Sequence, residues 1–182
     1  MTDDDGVPLG QFFQIAYVTN NLERGMELFK RHYGIPEFII VRTRDFRTPA
    51  PPWLRLALAY RDDVMIELVE PEPCNLELYA DALRPDGGLC IHHFGYFVNP
   101  DVFETLEGRF KARGIAVPDI RRNNTFPILF ADTRPETGLY SEFIGIPEAK
   151  RERWAREIPK YRTRHGDAPM PAPASPAPRV AR

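Results

Sequence analysis

The stretch QIAYVTNNL at residues 14–22 recurs in altered form as HFGYFVNPDV at residues 93–102, and this recurrence decides the fold. Each copy begins with β-branched and aromatic residues typical of a strand and continues into an Asn-containing turn that can begin a helix. The helices end at Gly34 and Gly114, each followed by isoleucine, 20 and 21 positions after the first residue of its copy. The matching order and spacing indicate an internal duplication.

Outside the repeated stretch, each half of the chain continues the pattern strand, helix, strand, strand, strand. The first half has a strand at 11–19, a helix at 22–33 and strands near 37–42, 53–60 and 64–69. The second half has a strand at 89–98, a helix from 99 to 113, and strands at 115–120, 126–131 and 139–144. Further short helices are predicted near 76–83 and at 148–157.

These elements predict an α+β fold of two tandem βαβββ modules. One such unit is too small to bury both faces of its sheet, so two units are expected to combine their curved mixed sheets around a central cleft. The predicted organisation is a disordered N-terminus (1–10), a first module with linker (11–84), a second module (85–147), a C-terminal helix and extension (148–165) and a disordered Ala/Pro-rich tail (166–182).

The net charge of -2 over 182 residues is unevenly distributed. Residues 151–182 contain eight Lys or Arg and three acids, a balance of +5, which leaves -7 for residues 1–150. An acidic body argues against a nucleic-acid partner, and no apolar stretch approaches the ~20 residues of a membrane helix. Cys74 and Cys90 lack CxxC spacing, and the acidic N-terminus lacks an apolar core, so a reduced cytoplasmic protein is expected.

Four polar residues lie inside otherwise apolar predicted strands. They are Gln14 and Glu67 in the first module and His93 and Glu142 in the second, and they occupy corresponding places in the two copies. A carboxylate among apolar neighbours is costly to bury unless it is paired or coordinates a metal. The predicted pseudo-twofold axis brings the four side chains together, and one imidazole, two carboxylates and one amide oxygen suit a single Zn, Mn, Fe, Co, Ni or Mg ion.

Each of these residues also has a purely structural interpretation, and for Gln14 it is simply that a glutamine in a strand is unremarkable. Glu67 and Glu142 could pair with arginines of neighbouring strands, such as Arg42 or Arg55. His93 could be a hydrogen-bonded core histidine. The place of the candidate residues within the repeat favours the metal interpretation.

Several other residues are assigned by position around the predicted cleft. His92 is expected to face away from His93 because neighbouring residues of a strand alternate, and it is interpreted as structural. Tyr140 and Trp53 are candidate walls of the pocket. Residues 43–52 form a predicted loop, and its arginines Arg44 and Arg47 are candidate contacts for an anionic substrate.

The pattern Q-I-A-Y-V-T…I-E-L-V-E-P…H-H-F-G-Y-F-V…G-L-Y-S-E-F-I-G resembles the glyoxalase/bleomycin-resistance/dioxygenase (vicinal oxygen chelate) superfamily over residues 11–147. It is most similar to the branch that contains lactoylglutathione lyase and methylmalonyl-CoA epimerase. The resemblance implies a paired βαβββ fold and a divalent metal held by the first and fourth strands of each module. On this chain those ligands are Gln14, Glu67, His93 and Glu142. The resemblance also implies a homodimer.

The chemistry expected of such a centre is removal of a proton next to a carbonyl of a small substrate, with Glu142 as first and Glu67 as second choice of base. That makes the protein a metal-dependent lyase or isomerase. One alternative is a protein of the same fold that sequesters a ligand without chemistry. A ring-cleaving dioxygenase is disfavoured, because it needs two histidines and one carboxylate and only His93 falls at a ligand position.

Overall fold

The computed structural model of the protein describes residues 10–44, 53–72, 77–122 and 126–163. The first module consists of β1 (Gln11–Val18), α1 (Leu22–Tyr33), β2 (Ile39–Arg44), β3 (Trp53–Arg61) and β4 (Val64–Pro71). A short helix, α2 (Glu77–Ala80), follows it. The second module consists of β5 (Cys90–Val98), α3 (Pro100–Ala112), β6 (Asp119–Arg121), β7 (Ile128–Ala131), α4 (Arg134–Thr137) and β8 (Tyr140–Gly145). The chain continues into α5 (Glu148–Glu157) and β9 (Lys160–Tyr161).

The strands form one curled mixed sheet in the order β2-β3-β4-β1-β5-β8-β7-β6. The two modules meet where β1 and β5 pair antiparallel, and on either side the parallel pairs β1–β4 and β5–β8 repeat the same arrangement. The predicted α+β fold of paired βαβββ modules is therefore confirmed.

The β1–β5 ladder contains two symmetric irregularities. Its register shifts by one residue at Phe13 in β1 and again at His92 in β5. Such bulges let two consecutive residues of a strand turn to the same side. Phe13 and Gln14 are accordingly both buried, as are His92 and His93. Each bulge thus directly precedes the residue that begins one copy of the repeat.

Both long helices cover the outer face of the sheet. The side chain of Asn21 accepts a hydrogen bond from the backbone N–H of Arg24 and begins α1, and Gly34, at φ 64°, ends it. Apolar residues of α1 pack against β3 and β4, and those of α3 pack against β7 and β8. This packing leaves the inner face of the curled sheet available for a cleft.

The C-terminal elements cross the open side of the sheet. Trp154 of α5 packs against Phe97 and Phe126, with ring centroids 6.0 and 5.2 Å apart. After α5, the carbonyl of Pro159 accepts a hydrogen bond from the backbone N–H of Tyr60, and β9 pairs parallel with β3. The extension therefore forms part of the inner wall.

Two sequence predictions differ from the structure. The strand expected at 115–120 is shorter and later, because Ile115 and Val117 pack into the α3 core before β6 begins. The turn α4 within the second module was not predicted. The predictions of disorder for 1–10 and 166–182 lie, except for Gly10, outside the described residues. None of the described helices is long and apolar enough to cross a membrane.

Candidate metal centre

The strands that carry the four candidate ligands are neighbours at the middle of the sheet, in the order β4, β1, β5, β8. Their registers place the four residues in two adjacent rows across the sheet. In one row, Gly95 of β5 is paired with Gln14 on one side and Glu142 on the other. In the other row, Ala16 of β1 is paired with Glu67 and with His93. In each row a small residue separates two candidate ligands.

The polar atoms of these four side chains converge. His93 Nε2 lies 3.4 Å from Glu67 Oε2 and 3.4 Å from Glu142 Oε2. Gln14 Nε2 lies 3.2 Å from the same histidine nitrogen and donates to Glu67 Oε2 at 2.5 Å. The side chains of His93, Glu142 and Glu67 are only 1%, 8% and 12% exposed. The structure thus brings together all four residues singled out in the sequence.

Two observations indicate that a divalent metal ion fits this cluster. Two ligands each about 2.1 Å from one ion lie about 3.0 to 3.4 Å apart, and the two histidine–glutamate distances agree with this spacing. In addition, Glu142 Oε2 is buried and has no hydrogen-bond partner within the described residues. A buried carboxylate oxygen without a partner is unfavourable, and a bound cation would relieve the penalty.

Gln14 could take part through the oxygen of its amide. Its Nε2 faces Glu67 and His93, while its Oε1 lies on the side of Gly95, 3.1 Å from where a Cβ at that glycine would stand. Rotation about the last side-chain bond exchanges the two atoms. The same amide can therefore donate to Glu67 without a metal or offer an oxygen to one.

Two groups of the buried cluster, His93 and Glu67, have raised pKa values. Burial opposes a charge on His93, but Glu142 and Glu67 outweigh it and raise the pKa of His93 to about 9. Burial also raises the pKa of Glu67, with Glu142 adding to the shift and His93 opposing it. Without a metal, an imidazolium therefore lies between the glutamates. A divalent cation would take the place of its proton.

His92 determines which nitrogen of His93 faces the glutamates. His92 Nε2 lies 2.7 Å from the carbonyl oxygen of Leu78, and its Nδ1 lies 2.9 Å from His93 Nδ1. Because a carbonyl only accepts, His92 Nε2 must carry hydrogen. Burial, aided by His93, lowers the pKa of His92 to about 3, so the ring is neutral and its Nδ1 accepts. His93 then donates from Nδ1, and its Nε2 is the nitrogen left to bind a metal.

The expectation that His92 faces away from His93 is therefore wrong. The bulge in β5 places both rings in the interior, where His92 lies between the rings of Tyr79 and Tyr140, at centroid distances of 4.8 and 4.9 Å. Simple alternation along a strand cannot anticipate an inserted residue.

The centre opens into a cleft of about 830 Å³, including space open to solvent. Most of its lining is aliphatic or aromatic, and Trp154, Phe126, Phe130 and Tyr79 supply the aromatic part. Arg121 is the only cationic side chain among the described residues that line it. None of these five was assigned to the site from the sequence. Tyr79 and Trp154 lie on helices outside the two repeated modules, and the other three lie on or next to the short strands β6 and β7.

Other predictions about the cleft have mixed outcomes. Tyr140 does not line it, because its ring is covered by His92 and by Arg134, whose guanidinium carbon lies 4.3 Å from the ring centroid. Arg47 and the side chains of Arg44 and Trp53 lie outside the described residues.

The arginines considered as partners of the candidate glutamates bind elsewhere. Arg55 donates to Glu70 at 2.5 Å and also to Glu23. Arg42 donates to Glu72 at 2.6 Å. Within the described residues, neither arginine pairs with Glu67 or Glu142, and both glutamates face His93 instead.

Comparison with known proteins identifies the architecture. A profile described as the Glyoxalase/Bleomycin resistance protein/Dioxygenase superfamily matches residues 13–130. A Streptomyces coelicolor methylmalonyl-CoA epimerase variant in complex with 2-nitronate-propionyl-CoA superposes with a TM-score of 0.51 at 17% identity, over 78% of this chain and 97% of that one. A methylmalonyl-CoA epimerase in complex with methylmalonyl-CoA and NH4+ superposes with a TM-score of 0.51 at 16% identity, again over 78% of this chain and 97% of that one.

A hypothetical protein from Bacillus halodurans gives a TM-score of 0.50 at 17% identity, over 76% of this chain and 95% of that one. At such identities these likenesses establish the fold alone. No curated protein matches the chain significantly.

Proposed function

Because the chain belongs to the glyoxalase/bleomycin resistance protein/dioxygenase superfamily, we propose that it is a divalent-metal-dependent lyase or isomerase acting on a small carbonyl substrate. The observation that carries this proposal is Oε2 of Glu142, buried without a hydrogen-bond partner at the wall of an apolar cleft and beside His93. A metal held by Gln14, Glu67, His93 and Glu142 would supply a Lewis acid that stabilises the negative charge of an enolate.

Glu142 is the proposed base. Both Oε2 atoms lie 3.4 Å from His93 Nε2, but that of Glu67 also accepts a hydrogen bond from Gln14, whereas that of Glu142 has no further polar partner within the described residues. Lone pairs of Glu142 are therefore the more available for a proton on the carbon next to the carbonyl. Returning that proton to the opposite face of the same carbon, or to a different carbon, gives an isomerase; if the electron pair instead expels a leaving group from the adjacent carbon, the enzyme is a lyase. Glu67 is the second choice for the role.

The remaining residues of the cleft orient the reacting groups and exclude water. His92 fixes the ring of His93 through the Nδ1–Nδ1 contact, so His93 keeps its Nε2 directed at the two glutamates. Aromatic and aliphatic walls leave few hydrogen-bonding groups for water near the reacting carbon, which strengthens electrostatic interactions there.

The first experiment measures the metal content of the purified protein beside that of Glu67→Ala and His93→Ala. We expect about one divalent metal per chain in the wild type, the occupancy of a single site, and its loss in both variants. The second measures exchange of substrate C–H hydrogen with D2O by NMR, with methylmalonyl-CoA tried first because similar folds bind it. Glu142→Gln should retain the fold and abolish exchange, whereas Glu70→Gln, which removes a carboxylate bonded to Arg55 outside the cleft, should not.

The outcomes separate this proposal from ligand sequestration. Protein that contains no metal, binds none on titration and exchanges no substrate hydrogen would move the assignment to a non-catalytic binding protein. The implied homodimer is part of the same proposal and is tested by the mass of the purified protein in solution.

A further inference from the structure

The helix α5 borders two different cavities. One is the cleft of the candidate metal centre, whose lining includes Trp154. The other is a second cavity of about 750 Å³, including space open to solvent, and the helix contributes Glu148, Arg151, Glu152 and Ala155 to its lining. These four are three or four positions apart and share one face of the helix, whereas Trp154 lies on another face. The proposed proton transfer makes no use of the second cavity.

Three aromatic rings form the partition between the cavities. Phe13 and Phe97 are stacked with their ring centroids 3.6 Å apart, and Trp154 meets both rings edge-on, at centroid distances of 6.1 and 6.0 Å. Within the described part of the chain, Phe13 and Phe97 line the second cavity and not the cleft, whereas Trp154 lines the cleft and not the second cavity. A molecule in the cleft therefore meets the indole ring before it reaches the second cavity.

The sheet places this partition one layer of side chains away from the metal centre. Leu58 is paired with Glu67 and lines the cleft, while Tyr60, two positions further along the same face of β3, lines the second cavity. Two residues of a strand span roughly 7 Å. Trp154 packs against the cluster of buried residues that contains both Leu58 and Tyr60. The part of the cleft between the centre and Trp154 is therefore short.

We propose that Trp154 limits the length of the substrate. The cleft takes a small carbonyl compound whose apolar chain ends against the indole ring, and the ring keeps longer chains out of the second cavity. The neighbouring lining, which includes Leu58, Ile144 and Phe126, is apolar and suits a hydrocarbon chain. The inference rests on the proposed function insofar as the bound compound is the substrate whose carbon Glu142 deprotonates.

Packing that only fastens α5 to the sheet is the competing explanation of Trp154. A purely structural side chain would influence stability without deciding which of two homologous ligands binds more tightly. The test therefore measures the affinities of straight-chain methyl ketones, from 2-pentanone to 2-undecanone, by titration calorimetry. These compounds carry the carbonyl group of the proposed substrate class, have no charge and bind without turnover. Titrations before and after chelation make the result independent of a bound metal.

We expect the affinity of the wild type to rise about fourfold per methylene until the chain reaches Trp154 and to stop rising there. In Trp154→Ala the rise should continue to longer ketones. A ketone two methylenes beyond the wild-type limit should bind this variant roughly tenfold or more tightly than it binds the wild type. Trp154→Leu keeps an apolar side chain against Phe97 and should extend the limit less.

Ile158→Ala is the matched control. Ile158 directly follows α5, is 5% exposed and belongs to the same buried cluster, but it is not among the described residues that line the cleft. Its truncation loosens the packing of the helix and leaves the partition in place, so the length limit should remain that of the wild type. A limit that moves as far in Ile158→Ala as in Trp154→Ala overturns the proposal, because the docking of the helix and not the indole ring would then set it.

An unchanged limit in both Trp154 variants also overturns the proposal, as does a wild type that shows no limit or binds none of the ketones. If Trp154→Ala does not fold, Trp154→Leu decides alone. A limit that moves as expected, in a protein that exchanges no substrate hydrogen, would retain Trp154 as the end of a binding cleft and reject the enzyme. Exchange of substrate hydrogen without a length limit would do the reverse.

Discussion

Replacing Gly95 by alanine should disturb the candidate metal centre although no ligand residue is replaced. Gly95 separates Gln14 from Glu142 in the sheet, and a Cβ there would stand 2.8 Å from Cβ of Gln14 and 3.1 Å from Cε1 of Phe13. Carbon atoms pack best at about 3.5 to 4.0 Å, so Gln14 or its strand must move by about 0.7 Å or more. The atom that must move lies next to the backbone and cannot swing aside.

The expected magnitudes follow from this displacement. Overpacking of a well-filled interior costs about 1 to 3 kcal/mol, which lowers the midpoint of thermal unfolding by roughly 2 to 12 °C in a domain of this size. Metal sites tolerate only about 0.2 Å of error in ligand distance. A displaced Gln14 should therefore weaken metal affinity about 10- to 100-fold, as changes next to metal ligands typically do.

The assay is thermal unfolding and competitive metal titration of Gly95→Ala beside Gly108→Ala. Gly108 lies in the middle of α3 with nothing within 4 Å of its added Cβ. Alanine there should stabilise the protein by about 0.5 to 1 kcal/mol and leave metal affinity unchanged. Gly95→Ala with wild-type stability and wild-type metal affinity would show that the row through Gly95 does not position Gln14.

Further predictions concern the centre and the cleft. His92→Phe should lower metal affinity about 10- to 100-fold by removing the acceptor for His93 Nδ1, as measured by competitive titration. Chelation should lower the unfolding midpoint of the wild type, and a metal supplied at about 100 times its dissociation constant should restore about 2.7 kcal/mol in the free energy of unfolding. Apparent metal affinity should rise with pH until about 9, because the metal must displace the proton of His93, whose pKa is raised to about 9. Trp154→Ala should reduce stability by about 2 to 3 kcal/mol in urea unfolding, since its half-buried ring packs on Phe97 and Phe126.

The repeat made most of the architecture predictable. Gln14 and His93 begin equivalent strands, and the order of elements in each half follows from apolar periodicity, so the paired modules and their pseudo-symmetry are readable from the sequence. The convergence of Gln14, Glu67, His93 and Glu142 follows from that symmetry. The similarity to a superfamily of known fold supports the same conclusion.

The details that the sequence did not reveal depend on backbone irregularity and on distant contacts. The bulges at Phe13 and His92 add one residue each, which a period of two cannot register. Tyr79 and Arg121 lie on short elements of four and three residues, and only the curl of the whole sheet brings them into one cavity. Side chains that meet through tertiary packing leave no local signal.

The pairing of β9 with β3 has a consequence for synthesis of the protein. The backbone N–H and the hydroxyl of Thr163 donate hydrogen bonds to the carboxylate of Asp62, 101 residues earlier in the chain. The end of β3 therefore stays without β9 while a ribosome adds the intervening segment. At 5 to 20 residues per second that interval lasts roughly 5 to 20 s. During it, the backbone groups beyond Tyr60 and the side of the cleft later covered by Trp154 are open to other nascent chains. Holdase chaperones that bind apolar segments should therefore engage the chain during this interval and release it once β9 has docked.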